Sequence, residues 1–465
     1  MSYSSSPESV AARDVPQASR RQFLATSAVL ATSTYGLTGP AARGDQPVAK
    51  NDRVPIGLIG AGGMGVGNMW AAKKWVDVVA IADVDAGRRD AANRSLSQGR
   101  AEVYEDYRSI LDRDDIQVLH IATPDHWHTK PLVEALLAGK DVYCEKPLTL
   151  TIDEGKLIRQ IQARTGRIVQ VGTQQRSTFA LFVKAVAMVH QGRVGKIRRI
   201  ECGIGEGLVS PPIPVAQVPT QLNWERWLGP APAVDYRLLK KEGITYSNSH
   251  AEFRWWYAFS GGKLTDWGAH HVDIAVWALS HNGDRPQGPV SISGQATHPV
   301  EFKDGLPARD DRYNTATKFE FTVTYPDEVQ IVIRSGGRNG VLIEGELGRL
   351  FVSREQLVGA PVEDLAENPL PADAIANVYK HLPIQFNERE AHWYNFLHCV
   401  RERSEPISDV RSHLEGLNLC HLTGIVARLG RSVQWDPTQE QILGDEQANR
   451  MLARPYRKGY EIELG

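Results

Sequence analysis

Three side chains in this sequence can between them move a proton and steady a developing charge: Lys146, Asp266 and His270. Lys146 stands in Glu145-Lys146-Pro147, directly after the apolar run Asp141–Cys144. Asp266 and His270 stand in Gly261-Gly262-Lys263-Leu264-Thr265-Asp266-Trp267-Gly268-Ala269-His270-His271-Val272-Asp273. Thr265 or Asp266 is expected to start a helix there. At roughly 100° per residue, Asp266, His270, Asp273 and Trp277 fall within about 60° of one another, and Val272, Ala275, Val276 and Leu279 take the core face. A carboxylate and an imidazole one turn apart serve either as a structural pair on a solvated helix surface or as an acid–base arrangement. The double glycine, which permits close backbone approach, and the aromatic run Phe253-Arg254-Trp255-Trp256-Tyr257 favour the second.

Other candidates need the same weighing. His126 and His128 suit a capping role as well as they suit substrate contact. Cys144 reads as a packed strand residue rather than a nucleophile. Six of the 11 tryptophans fall between Trp224 and Trp277. Most belong to the core, but Trp255, Trp256 or Trp267 can stack on a sugar face, since an indole combines apolar area with a donor edge.

The element that must position these groups begins at Val54. Ile56, Leu58 and Ile59 read as a short buried strand, and Gly60-Ala61-Gly62-Gly63-Met64-Gly65 follows it directly. Gly60 allows the tight turn, Gly62 lets the backbone approach a pyrophosphate, and Gly65 lets the next helix, from about Met64 to Trp75, pack on the strand. That helix points its positive N-terminus at the phosphates. A second apolar run, Val78–Ala82, ends at Asp83, placed to accept hydrogen bonds from a ribose. This is a Rossmann dinucleotide site. Asp83 favours NAD; Arg88 and Arg89 soften that preference and leave NADP possible.

Further βα repeats follow. The run Ile116–Ala122 ends at Thr123-Pro124-Asp125-His126-Trp127-His128, and ligands in such sheets sit outside the carboxyl ends of strands. Thr123, Pro124, His128, Glu145, Lys146 and Gln175 therefore join Gly60, Gly62, Gly63, Met64, Gly65 and Asp83 as cofactor-binding candidates, and Lys146 should face the nicotinamide. Helix 152–165 and strand 168–171 complete a parallel sheet. The pattern changes after about Gly195. Residues 196–204, 317–325, 329–334, 341–346 and 350–353 alternate like antiparallel strands. Residues 388–403 and 408–430 are helical, 432–435 return as an edge strand, and the polar last 30 residues wrap the surface.

Composition narrows the alternatives. The 465 residues suffice for two domains with full cores, and a net charge of −2 gives no sign of a nucleic-acid partner. The four cysteines form no close pair, which argues against zinc and disulfides; no metal is expected. Ser19-Arg20-Arg21-Gln22-Phe23-Leu24, a mildly apolar segment to about Leu37 and small residues near Gly39 read as a twin-arginine signal peptide over residues 1–44. The segment is too short and polar for stable membrane insertion. A periplasmic location follows.

Taken in order, Gly60-x-Gly62-x-x-Gly65, Thr123-Pro124 with His128, Glu145-Lys146-Pro147 and Gly261-Gly262…Asp266-x-Gly268-x-His270-x-x-Asp273 resemble the glucose–fructose oxidoreductase/inositol dehydrogenase (Gfo/Idh/MocA) family. The resemblance implies a Rossmann domain (54–173), then an α+β substrate domain (174–436) with an open, mostly antiparallel sheet, and leaves residues 437–465 as a tail. It implies that Lys146, Asp266 and His270 are catalytic, with Lys146, Trp255, Asp266, His270 and Asp273 meeting a carbohydrate or polyol. Hydride transfer to NAD(P) is the expected chemistry, with His270 as base, Asp266 orienting it and Lys146 polarising the oxygen. A redox-neutral glycosidase or glycoside lyase is the rival within the family; a cofactor-bound sensor without turnover is a third reading. An open sheet face implies a homo-oligomer. Extra sequence around Val209–Tyr246 departs from compact members.

Overall fold

The computed structural model describes residues 52–280, 287–379 and 387–464. The proposed signal peptide lies outside these residues. The first half alternates strand and helix: β1 (Val54–Ile59), α1 (Gly63–Ala72), β2 (Val76–Ala82), α2 (Ala86–Ser97), β3 (Glu102–Tyr104), α3 (Arg108–Leu111), β4 (Val118–Ile121), α4 (Thr129–Leu137), β5 (Asp141–Cys144), α5 (Ile152–Thr165) and β6 (Val169–Val171). The strands pair in parallel in the order β3-β2-β1-β4-β5-β6. Strand order reverses between β1 and β4, and the crevice where such sheets bind ligands opens there. Helix boundaries follow local chemistry. The Thr151 side chain accepts from Glu154 N to start α5, and Gly166, at φ 62°, ends it.

The second half contains α6 (Lys184–His190), β7 (Ile197–Gly203), α7 (Trp224–Leu228), β8 (Leu238–Lys241), β9 (Ile244–Ser247), α8 (Lys263–Asp266), α9 (Gly268–Leu279), β10 (Ser291–Thr297), β11 (Phe302–Lys303) and β12 (Leu306–Pro307). It continues with β13 (Lys318–Thr324), β14 (Gln330–Arg334), β15 (Gly340–Gly345), β16 (Arg349–Val352), β17 (Leu357–Val358), α10 (Ala360–Glu363) and α11 (Ala374–Val378). Last come α12 (Glu388–Glu402), α13 (Val410–Leu429), β18 (Val433–Asp436), β19 (Gln441–Leu443) and α14 (Glu446–Arg450). Its large sheet has nine strands in the order β17-β16-β15-β7-β14-β13-β10-β18-β19. All neighbours are antiparallel except β7 and β14. The strand expected at the edge, β18, is covered by β19, because Asp436 and the turn after it fold the chain back for one more pairing.

Two packing facts bear on the site. Helices α9 and α13 pack together over the sheet, so every residue from Gly268 to Val276 is buried. Helix α12 crosses back and joins the core beside β1 and β5: Trp393 stacks on Tyr143 with ring centroids 4.2 Å apart. The nucleotide-binding sheet is thus finished by a helix from far along the chain.

Candidate active site

The turn between β1 and α1 forms a cradle. Gly60 takes φ 91°, and a Cβ there would lie 2.6 Å from the carbonyl of Ala122 on the neighbouring strand end. A Cβ at Gly65 would meet the Gly60 oxygen at 2.2 Å, so only glycine lets α1 pack this closely. A Cβ at Gly63 would meet nothing within 4 Å. Gly62, Gly63 and Met64 border a cavity of about 590 Å³ that runs along the strand ends. No acidic residue occupies the first turn of α1, which leaves its N-terminal charge available to an anion. An unpartnered buried atom points the same way: Thr123 Oγ1, on the cavity, has no hydrogen-bond partner, whereas Gln175, expected at the cofactor, is buried and does not border the cavity. These residues fit a dinucleotide.

Asp83 sits at the end of β2 as expected, but its carboxylate is already engaged. Oδ2 accepts from Ala61 N at 2.7 Å and Oδ1 from Asp85 N at 2.9 Å. Burial pushes its pKa up, against these two bonds. It therefore braces the glycine turn as well as bordering the cavity. Arg88 reaches the cavity beside Gly62, whereas Arg89 turns back to donate to Asp83 O.

The ends of β4 and β5 carry the opposite part of the crevice. Thr123, Pro124, His128, Glu145 and Lys146 border the cavity. Both ring nitrogens of His128 meet backbone carbonyls, Pro147 O at 2.6 Å and Thr123 O at 2.8 Å, so this ring fastens the two strand ends to each other. His126 is buried against Trp227 and Phe259, with Nε2 on Trp227 O. The Glu145 carboxylate accepts from Asn68 Nδ2 at 2.6 Å and Gln174 Nε2 at 3.1 Å, and burial raises its pKa. Cys144 is fully buried.

Lys146 crosses from this crevice to the second half. Its Nζ donates to Asp266 Oδ1 at 2.7 Å and to Asp266 O at 2.9 Å. Arg254 Nε donates to the same Oδ1 at 3.3 Å. Burial opposes ionisation of Asp266, but Lys146 and Arg254 outweigh it and hold its pKa well below the usual carboxylate range. His270 is buried nearby. Burial first, then the charge of Lys146, lowers its pKa well below the ordinary value. The imidazole is therefore neutral at neutral pH, and its Nδ1 has no hydrogen-bond partner.

The expected geometry needs four corrections. Asp266 makes no hydrogen bond to His270 among the described residues; its carboxylate is turned to two cations, which out-compete a neutral imidazole. The helix is also divided, α8 starting at Lys263 under a Gly262 cap (φ 65°) and α9 at Gly268. Asp273 does not reach the cluster at all. Because α13 covers that side of α9, Asp273 is buried and held by Arg176 through bonds of 2.6 and 2.8 Å. Trp255 likewise packs into a buried aromatic cluster with Tyr313, and Trp256 donates Nε1 to Ser247 O, so neither indole borders the cavity. Trp267 alone of the three stays beside His270, with ring centroids 6.5 Å apart.

Several cavity residues had no reading from sequence. Arg254 lies inside the aromatic run whose tryptophans drew attention, and its charge was the missed signal. Trp227 comes from the extra segment, His250 from just after it, and Gly459 and Tyr460 from the tail. No local pattern marks these four.

The oxidoreductase family model described as an NAD-binding Rossmann fold matches residues 54–173. The model described as the C-terminal alpha/beta domain of the same oxidoreductase family matches residues 210–462. The chain belongs to the Gfo/Idh/MocA oxidoreductase family. Its N-terminal part is the NAD-binding domain. Among curated relatives, the inositol 2-dehydrogenase of Rubrobacter xylanophilus is 33% identical over 130 residues, covering 27% of this chain and 37% of the relative. The glycosyl hydrolase family 109 protein 2 of Shewanella sp. (strain ANA-3) is 33% identical over 158 residues, covering 29% and 35%. The chain thus spans well under half the length of these relatives. The aldose-aldose oxidoreductase from Caulobacter crescentus shares the Gfo/Idh/MocA fold with a TM-score of 0.59 at 17% identity, covering 82% of this chain and 99% of that one.

Proposed function

We propose that this Gfo/Idh/MocA protein oxidises a CH–OH group of a sugar, inositol or glycoside, transferring hydride to a bound nicotinamide. The observation that carries the reading is the ammonium of Lys146, at the end of β5 on the cofactor cavity, fixed by Asp266 close to a neutral His270. Gly60, Gly62, Gly63 and Thr123 would hold NAD, which would supply the hydride acceptor. Lys146 polarises the substrate oxygen and steadies its negative charge as the C–H bond breaks. Neutral His270 takes the hydroxyl proton. Asp266 acts on Lys146, holding the ammonium in place by two bonds, rather than on His270. The substrate loses one proton to His270 and one hydride, which the cofactor would accept, and is left as a carbonyl.

The redox-neutral alternative draws support from the likeness to a glycosyl hydrolase family 109 protein. There the same oxidation is followed by elimination of the glycosidic oxygen, addition of water and return of the hydride. Product analysis separates the two. Hydride transfer as the net reaction yields a keto sugar and reduced cofactor in equal amounts; the alternative yields free sugar with no net reduction. Failure of any sugar, polyol or glycoside to reduce or cycle the cofactor would overturn both. The sequence around Arg20 and Arg21 supports twin-arginine export to the periplasm, where a retained cofactor has most value, and the open sheet face supports a homo-oligomer. Among the described residues no helix is long and apolar enough to cross a membrane.

A further inference from the structure

Hydride transfer leaves two cations beside His270 without a task. Lys263, the first residue of α8, and Arg354, in the turn after β16, both lie over the indole of Trp267. Lys263 Nζ is 5.3 Å and Arg354 Cζ 4.9 Å from a ring centroid. Trp267 in turn lies against His270 and His271. Lys146 and Arg254 share the carboxylate of Asp266. Lys263 and Arg354 have no carboxylate within ion-pair distance among the described residues, although the cations of neighbouring strands do: Arg334 pairs with Glu201, and Arg349 with Glu344.

Their charges converge on the site. Arg354 acts electrostatically on both His270 and His271. Lys263 is half-buried, and burial pushes its pKa down against the attraction of Asp266, with the like charges of Lys146 and Arg254 adding to the downward shift. Holding like charges together at the edge of a partly dry site is unfavourable unless a counter-charge arrives. Asp125 and Glu145 act on Arg254 and Lys146, and neither acts on Lys263. A neutral sugar would leave the excess standing.

Resting on the hydride-transfer reading, we propose that the ring substrate carries an anionic oxygen substituent (carboxylate, sulfate or phosphate), which Arg354 and Lys263 bind while its ring packs on Trp267. A guanidinium presents a planar fork that matches such a group in two parallel bonds, and the ammonium adds a point charge. The indole offers the apolar C–H face of the ring a surface to cover.

Calorimetric titration of the purified protein, with its bound dinucleotide, tests this without needing turnover. The probes are D-glucuronate, glucose 6-sulfate and glucose 6-phosphate against neutral D-glucose, and the three anionic arms separate carboxylate from sulfate from phosphate. At least one is expected to bind about 10- to 100-fold more tightly than glucose. Raising ionic strength weakens that preference. In the Lys263→Ala/Arg354→Ala variant the anionic-to-neutral ratio falls towards one, and Arg354→Lys restores part of it. A ratio near one in the unaltered protein, or a preference that survives the double substitution, overturns the proposal. Cofactor reduction, read in parallel, keeps the two readings apart. Anionic preference without reduction sinks hydride transfer alone, and reduction by glucose without anionic preference sinks the anion site alone.

Discussion

At the scale of single residues, His270 and Lys146 carry the chemistry and differ in what surrounds them. Lys146 is fixed twice by one residue, through the Asp266 carboxylate and its peptide oxygen. His270 has none at Nδ1. Replacing either by Ala is expected to lower turnover by about 100- to 10,000-fold while leaving NAD bound, because neither holds the glycine turn. Trp70→Phe, on an indole 46% exposed on α1, serves as the control for general disturbance. The pH profile gives a sharper check. Burial and Lys146 depress the pKa of His270, so the imidazole remains a base as pH falls through the usual histidine range. The acid limb of kcat/KM is therefore expected below about pH 6.5. An acid limb at or above that value would show that His270 is not the base.

At the scale of elements, the pair Arg176–Asp273 joins three segments. Asp273 comes from α9, and Arg176 from the short turn after β6. The Arg176 guanidinium also donates to Ile407 O and to Ser412 Oγ at the start of α13. Both side chains are nearly inaccessible, at 2% and 1%. Burial alone would raise the pKa of Asp273, but Arg176 and His413 hold it below the usual carboxylate value. Asp273→Asn leaves a buried guanidinium uncompensated and is expected to cost about 3–5 kcal/mol of stability. The sign with pH follows from the depressed pKa: the contribution is fully present above the unfolded value near 3.9 and is lost as pH falls through the folded one. Thermal or urea unfolding of the variant at neutral pH checks the size. The double change Arg176→Met/Asp273→Leu, which removes both charges, should recover much of the loss. A single variant as stable as the parent would refute this account.

At the scale of the whole molecule, the tail returns to the segments after β4 and around α5 in the nucleotide-binding half. Arg454 donates to the buried Glu154 carboxylate at 2.8 Å and to His126 O at 2.7 Å, and Tyr456 donates to the same carboxylate. Arg457 binds Gly229 O, and Lys130 binds Glu461 O. These bonds lay Tyr460 edge-on against Trp127, 5.7 Å between centroids, at the wall of the cofactor cavity. Tyr460→Ala removes that wall but leaves the Arg454 and Arg457 anchors intact. NAD dissociation, followed by the loss of cofactor during gel filtration, is expected to quicken about tenfold, for a contact of roughly 1.4 kcal/mol. The melting temperature of the cofactor-free protein should change little. Unchanged retention would mean that the tail only covers surface.

What the sequence determined alone was whatever depends on neighbours along the chain. Strand, glycine turn and helix from Val54 onward follow from local sterics, as do the parallel repeats to Val171, the capped helix α5 and the hairpin of β13 and β14. Lys146 at a strand end and His270 near a double glycine were legible for the same reason, since both depend on short spacings. The tertiary structure decided what those side chains face. Helical periodicity put Asp266, His270 and Asp273 on one stripe but could not say that α13 would bury it, and burial gave Asp273 to Arg176. Nor could it weigh Lys146, far away in sequence, against His270 as the partner of Asp266; in a site of low polarity, the ammonium wins. The aromatic run was visible, but whether an indole meets solvent or Tyr313 depends on a loop many residues further on. The tail carried no signal at all, because Tyr460 acquires its place only through Arg454, Arg457 and Lys130, contacts made across most of the chain.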